Sequence, residues 1–216
     1  MAFVRFTDAP GRIASLPIDQ RGFPVPWFVS WRDQQPHFPV IDVSKLVRAW
    51  NEEVCWVCGS RLGAWRAWVI GPSSLLERAS PEPPGHVECA QFAARHCPYL
   101  ASPHFRRAAR TYADPDFRNA ENQTTIHSGV VALWVTKGRG ARPFGAGAGT
   151  LFALEECARA EWYQEGRPAT RMEVVAALEA VQPVLRAAAE TTGASAMRDL
   201  QRRIDLTMRL IPGERP

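Results

Sequence analysis

The chain has 216 residues, 46% of them hydrophobic, with a formal net charge of +4 and a pI near 9.0. That apolar share excludes a globally disordered chain and can build one large domain or two small ones. No apolar run approaches the ~20 residues a membrane-crossing helix needs, and the surplus of positive charge points only faintly to an anionic partner, because Lys45 and Lys137 are the only lysines among otherwise arginine cations.

Residues 1–40 are rich in proline and aromatic side chains. Within them RGFPVPWFV at 21–29 reads as extended, since its prolines forbid helix and confine it to an edge strand or its approach. Residues 40–50 (VIDVSKLVRAW) predict a short helix capped by Asp42 or Ser44, leading directly into Cys55-Trp56-Val57-Cys58-Gly59. Residues 65–70 (WRAWVI) read as a strand, and 71–85 as a loop rich in Pro and Ser. From His86, HVECAQFAARHC predicts a helix stopped by Pro98, with a second helix at 102–110 and an irregular polar stretch at 114–123. Residues 130–136 (VVALWVT) are the clearest strand. A glycine-rich connection, KGRGARPFGAGAG, and a further strand at 150–154 predict an antiparallel hairpin over 129–154 with a long, mobile tip.

The C-terminus reads as helical over 170–211. Thr170-Arg171-Met172-Glu173 has the form of a capping box. Val174, Leu178, Val181, Leu185 and Ala188 recur at three- and four-residue steps, as one buried face requires. Pro183 predicts a kink or break, and Gly193 an end. Met197, Leu200, Ile204, Met208 and Ile211 form a second stripe, so the two helices are expected to pack as an antiparallel hairpin.

Four of the five cysteines fall between Cys55 and Cys97. Cys55-x-x-Cys58 puts two sulfurs within reach of one ion, with Gly59 relieving strain as the chain leaves the knuckle. His86-x-x-Cys89 supplies a second pair, and ligands three apart at a helix start project to one side. Zinc takes four N or S donors in a tetrahedron, so Cys55, Cys58, His86 and Cys89 are the expected ligands of one structural Zn2+. A knuckle followed by a ligand pair at a helix start resembles the treble-clef pattern. His96 and Cys97 are the substitutes for a proposed ligand; Cys97 and the isolated Cys157 otherwise read as core.

Sharper chemistry is weighed on the same residues. His86-Val87-Glu88 matches the H-x-E half of the zinc-deaminase signature, with Glu88 as proton shuttle, but the order of H-x-E and C-x-x-C is reversed and Cys89 closes the open position. A redox dithiol at Cys55 and Cys58 needs a following helix, which Gly59-Ser60-Arg61-Leu62-Gly63 does not favour. GAGAGT at 145–150 lacks the Lys-Ser/Thr ending of a phosphate loop. Glu88 and His127 stand as the candidate acid/base residues of an enzyme reading. Arg106, Arg107 and Arg110, with Lys137, Arg139 and Arg142 of the glycine-rich connection, are the candidate phosphate contacts of a nucleic-acid reading. Trp27, Trp31, Trp56, Trp65 and Trp68 gather around the metal region, either as core or as stacking surfaces for bases.

RGFPVPWFV at 21–29, CWVCG at 55–59, EPPGHVECA at 82–90 and WYQEGRPATRMEV at 162–174 resemble a group of bacterial and phage-like proteins with no assigned activity. The resemblance spans most of the chain and implies one evolutionary unit; it implies no function. The expectation is a single α+β domain over 1–216, with a zinc-binding region at 40–111, a treble-clef-like zinc element, a small antiparallel sheet and a C-terminal helical hairpin. Its N-terminus lacks the apolar region of a signal peptide, so a cytoplasmic location and no membrane contact are expected. The leading functional expectation is a zinc-stabilised protein that binds nucleic acid. A protein-interaction or assembly module, and an enzyme acting on a small molecule or nucleotide, are the alternatives.

Overall fold

The structure, a computed structural model, describes residues 4–101, 129–145 and 149–213. It is a mixed α and β arrangement with small antiparallel sheets and two long C-terminal helices. In chain order the elements are α1 (Gly11–Ala14), β1 (Val29–Arg32), β2 (Gln35–Ile41), α2 (Val43–Asn51), β3 (Trp65–Ile70), α3 (Pro72–Glu77), β4 (Ala79–Ser80), α4 (Val87–His96), α5 (Pro98–Ala101), β5 (Val130–Lys137), β6 (Ala141–Phe144), β7 (Leu151–Leu154), β8 (Arg159–Gln164), β9 (Arg167–Pro168), α6 (Arg171–Thr192) and α7 (Ala194–Met208).

The proline-rich start does reach an edge: among the described residues β1 pairs only with β2, through a two-residue turn in which Asp33 and Gln34 both have positive φ (48° and 59°). Such a turn matches the right-handed twist of a hairpin. Asp42 caps α2 by accepting the Ser44 amide.

The main sheet has the order β3-β5-β8-β9, antiparallel throughout. Its centre is β5, in which every residue from Val130 to Thr136 is buried. An unbroken apolar strand arises where both faces of a sheet are covered. On one face Trp68 and Ile70 of β3, Val130, Ala132 and Trp134 of β5, and Trp162 of β8 pack with Phe152, with Leu75 and Leu76 of α3, and with Val174, Leu178, Val181, Leu200 and Ile204 of the C-terminal helices. On the other, Ala67, Val131, Leu133, Val135 and Tyr163 receive Ala90 and Ala94 of α4. Alanines on the contact face let helix and sheet approach closely. The far side of α4 belongs to a third cluster, where Cys55, Cys89, Phe92 and Ile13 meet Phe6, Leu16 and Leu62.

Several expectations are corrected. The stretch 71–85 contains α3 and β4 rather than loop alone; Gly71 precedes Pro72 at the helix start, where a missing N–H costs nothing. Residues 130–136 and 150–154 do not form a hairpin with each other. Gly138 and Gly140, at φ 71° and 64°, turn the chain out of β5 into β6, and a Cβ on Gly140 would lie 2.1 Å from Thr136 Oγ1. β7 then pairs with β6 and β4 in a separate three-stranded sheet. The partner that 130–136 finds on its C-terminal side is β8, where Arg159, Glu161 and Tyr163 alternate with Ala160 and Trp162. α6 runs unbroken through Pro183; Pro183 is exposed, as is Glu179, whose carbonyl loses its partner to the proline. Leu185 is half-buried and Ala188 exposed, so the buried stripe of α6 ends at Val181. The helix at 102–110 and the polar stretch at 114–123 lie outside the described residues.

α6 and α7 turn back on each other at Gly193 and run antiparallel, as Arg186 Nη2 to Gln201 Oε1 (2.9 Å) and Arg171 Nη1 to the Pro212 carbonyl (3.2 Å) show. The capping box at the start of α6 is complete: Thr170 Oγ1 accepts the Glu173 amide, and Glu173 accepts the Thr170 amide. The Arg167 guanidinium, followed by the Thr170 amide, holds the Glu173 carboxyl down to about 2. A depressed carboxyl stabilises the fold above its unfolded value near 4.5 and loses that contribution as pH falls towards 2. Thr170→Ala is expected to cost about 1 kcal/mol in urea unfolding at neutral pH. Glu173→Gln is expected to flatten the loss of stability between pH 4.5 and 2; an unchanged acid limb in Glu173→Gln contradicts this assignment.

Candidate metal centre

The site is built from a turn and a helix start. The chain reverses between Glu53 and Leu62: the Leu62 amide donates to the Glu53 carbonyl (2.7 Å), Cys55 to Ser60 (2.7 Å) and Gly59 to Cys55 (2.8 Å). Gly59 has φ 73°, and a Cβ there would sit 2.7 Å from the Trp27 ring, so only glycine fits both the turn and the indole packed on it. The second pair comes from α4, whose N-cap is His86 and whose first turn carries Cys89. Ala67 and Gly85 exchange two backbone hydrogen bonds, each 2.9 Å, which fixes the entry to α4 against β3.

Cys55, Cys58, His86 and Cys89 converge, with one ligand atom from each all within 4.8 Å of one another. Nδ1 of His86 lies 3.4 Å from Cys58 Sγ and 3.8 Å from Cys89 Sγ. A tetrahedron with bonds of about 2.3 Å to sulfur and 2.0 Å to nitrogen separates its ligand atoms by roughly 3.5–3.8 Å. These two separations therefore fit a shared central ion. The other ring nitrogen, Nε2, is 3.0 Å from the Arg61 carbonyl. A carbonyl only accepts, so Nε2 carries a proton, and Nδ1 is the nitrogen that faces the sulfurs and would give up its own proton to bind an ion. Outer hydrogen bonds of this kind set the tautomer and orientation of a ligating histidine. Cys55 Sγ in turn accepts the backbone amides of His86 (3.3 Å) and Cys58 (3.5 Å).

Cys55 and Cys89 are fully buried, His86 is 5% exposed and Cys58 half-buried. The three cysteines are free thiols. As protein groups alone they are strongly coupled. Hydrogen bonds from Cys55, then Cys89, hold the Cys58 thiol far below its ordinary value, and hydrogen bonds with Cys55 and Cys58, together with burial, push Cys89 up. Hydrogen bonds from Cys55 and Cys58 push His86 up to about 10. A bound cation competes with these protons and balances the thiolates.

The alternative ligands are engaged elsewhere. His96 Nε2 is 2.7 Å from Asp8, packed between Phe6 and Phe92, and its hydrogen bond lowers the Asp8 carboxyl. Neither His96 nor Cys97 belongs to the cluster. Glu88 projects to Arg12 on α1 (2.8 Å) rather than to the sulfurs. His127 and Arg106, Arg107 and Arg110 lie outside the described residues. Of the remaining basic candidates, Arg139 donates to Glu53 (3.0 Å), which also receives the buried Arg66 (3.1 Å), and Arg142 lies 3.9 Å from Glu155. Lys137 is exposed at the end of β5, its Nζ 6.0 Å from the centre of the Trp65 ring. The second cation near that ring, Arg159, was not singled out by the sequence reading; the alternation of β8 is the signal that places it. The Arg61 carbonyl carries no sequence signal, because any residue supplies one.

Comparison of the chain with protein-family models, with curated proteins and with solved structures returns no match.

The geometry makes one metal ion per chain the expected stoichiometry. Cys58→Ser and Cys89→Ser are expected to abolish it in native mass spectrometry, whereas Cys97→Ser and His96→Ala retain it. Metal lost equally from the Cys97 variant contradicts the ligand assignment.

Proposed function

We propose that the protein is a zinc-stabilised binding protein, with Zn2+ held by Cys55, Cys58, His86 and Cys89 and nucleic acid as its partner. The observation that carries the metal half is the convergence of three sulfurs and one imidazole nitrogen within 4.8 Å of one another, with Nδ1 at 3.4 and 3.8 Å from two of the sulfurs. Soft thiolate donors with one imidazole suit zinc above the harder divalent ions. A turn carrying Cys55 and Cys58 and a helix start carrying His86 and Cys89 support reading the element as treble-clef-like. Four protein donors fill a tetrahedral shell, and Glu88 is tied to Arg12, which favours a structural over a catalytic metal.

The ion has a physical task here. The segment from Phe6 to Leu62 contributes short helices and a two-stranded hairpin, and it meets α4 through a small apolar cluster that includes two of the cysteines. Metal–ligand bonds across that cluster replace missing core. Nucleic acid as the partner is supported by the net charge of +4 and by exposed cations at one end of the main sheet, Lys137, Arg139 and Arg159. No helix among the described residues is long and apolar enough to cross a membrane. A second reading, an assembly module, draws on the exposed Met172, Val184 and Leu206 of the C-terminal helices. The resemblance of four segments to bacterial and phage-like proteins fits a cytoplasmic protein of either kind.

Elemental analysis of freshly purified, reduced protein is expected to give zinc. A strong chelator is expected to lower the melting temperature and to expose Cys55 and Cys89 to thiol reagents. Because thiolate ligands must stay deprotonated, the metal is expected to leave as pH falls, before the remaining fold unfolds. A chelated protein with unchanged melting temperature overturns the structural role. For the partner, binding to labelled oligonucleotides is expected to weaken linearly in log–log fashion with salt; no binding at low salt overturns the nucleic-acid reading and leaves the metal reading standing.

A further inference from the structure

Trp65 opens β3 directly opposite Lys137 of β5, and Arg159 of β8 lies one pair further across the sheet, opposite Val135. Alternation places all three side chains on the face that α4 covers further along, at Ala67, Val131, Leu133 and Val135. At this end the cover stops: Trp65 is 46% exposed and the Arg159 side chain 49%. Lys137 Nζ and Arg159 Cζ stand 6.0 and 5.9 Å from the centre of the indole. Those distances are at the outer limit of a cation–π contact, so the ring holds neither cation firmly. Arg159 also leans on Glu161 (3.2 Å), which Gln91 holds in place at 2.8 Å; Lys137 makes no ion pair among the described residues.

An exposed tryptophan on a rigid strand is costly to leave in water, and two cations beside it repel a basic or apolar neighbour. A base with its phosphate meets both demands: the indole offers a flat stacking face, and the cations stand where the backbone charge would pass. The edge position of β3 in the sheet leaves Trp65 reachable from the side.

We infer that Trp65, flanked by Lys137 and Arg159, is a stacking platform for a base of a single-stranded nucleic acid. This rests on the nucleic-acid reading above and names its site and its substrate class. A duplex is disfavoured, because its bases are already stacked on each other and show only their edges. Neither contact touches the sugar, so DNA and RNA strands bind alike. The platform is also coupled to the metal: β3 leaves the knuckle directly, and the Ala67–Gly85 bonds sit two residues from Trp65.

The test is fluorescence anisotropy of the full chain with labelled oligo-dT and oligo-U of about 15 nucleotides, within the usual range of site sizes, beside a duplex of equal length. The proposal expects both strands to bind and the duplex to bind more weakly. Trp65→Ala is expected to lose roughly 5- to 150-fold in affinity, with the metal content and circular dichroism of the unaltered protein. Trp65→Phe, which keeps an aromatic face, is expected to restore most of the loss, and Lys137→Ala to weaken binding and flatten its salt dependence. Tight binding that Trp65→Ala leaves unchanged, or a preference for duplex, overturns the platform while the nucleic-acid reading survives. No binding of any oligonucleotide by the unaltered protein overturns both.

Discussion

Two hydrogen bonds between Ala67 and Gly85 tie the start of α4 to β3 and thereby relate the two halves of the ligand cluster. They seat the residue before His86 against the strand that follows the knuckle, so both halves of the Cys/His cluster are referred to the same backbone. Were that bridge displaced, Cys89 would rotate with α4 and the sulfurs would no longer share a centre. The bridge lies against the cluster itself: a Cβ on Gly85 would meet Cys55 Sγ at 3.4 Å and Val57 Cγ2 at 3.6 Å. Backbone register, more than side-chain choice, therefore decides whether four dispersed residues can act as one site.

α4 is the shared wall of two interiors. Its Ala90 and Ala94 side lies on the sheet, and its Cys89 and Phe92 side lies on the knuckle and the N-terminal segment. The sheet interior on this side is apolar, and the C-terminal helices cover the opposite face of the same sheet. The knuckle interior is small, sulfur-rich and closed at its rim by polar pairs, Arg12 with Glu88 and His96 with Asp8. Rim pairs at about half exposure contribute little free energy each; they orient the N-terminal segment rather than hold it. Leu46, Ala49 and Trp56 anchor the later part of the segment in the large cluster, so the ligand atoms bear on the local packing of Phe6, Ile13, Leu16 and Leu62.

The elements read from local pattern appear where periodicity and caps are strong. The capping box at Thr170 and Glu173, the stripe through Val174, Leu178 and Val181, the strand at 130–136 and the helix after His86 all carried their signal within a few residues. The four clustered ligands were legible for the same reason, as two pairs with x2 spacing. Pairing was not legible. A seven-residue apolar strand says that both its faces and both its edges are covered, but not by which strands, and the glycines at 138 and 140 could equally close a hairpin or turn the chain away. β8 was missed because its polar alternation, Arg159, Glu161 and then Tyr163, imitates a charged loop until its other face, Ala160 and Trp162, is read separately. Which tryptophans are core and which are surface depends on strand parity together with the position of α4: Trp68 is buried and Trp65 is not.

The order of β3 and β5 in the chain has a consequence for how the molecule is made. Trp65 pairs with Lys137 and Ile70 with Ala132, so the central strand meets its neighbour only after a long intervening stretch has been synthesised. Non-local pairings of this sort form late, because the closure entropy must be met before any contact rewards it. The segment from Cys55 to Cys89 is complete much earlier, and none of its four ligand residues lies on β5. On a ribosome the knuckle and α4 can thus meet while the sheet's middle is still absent, and an ion captured then would hold the edge strand in register, as a template waiting for its partner.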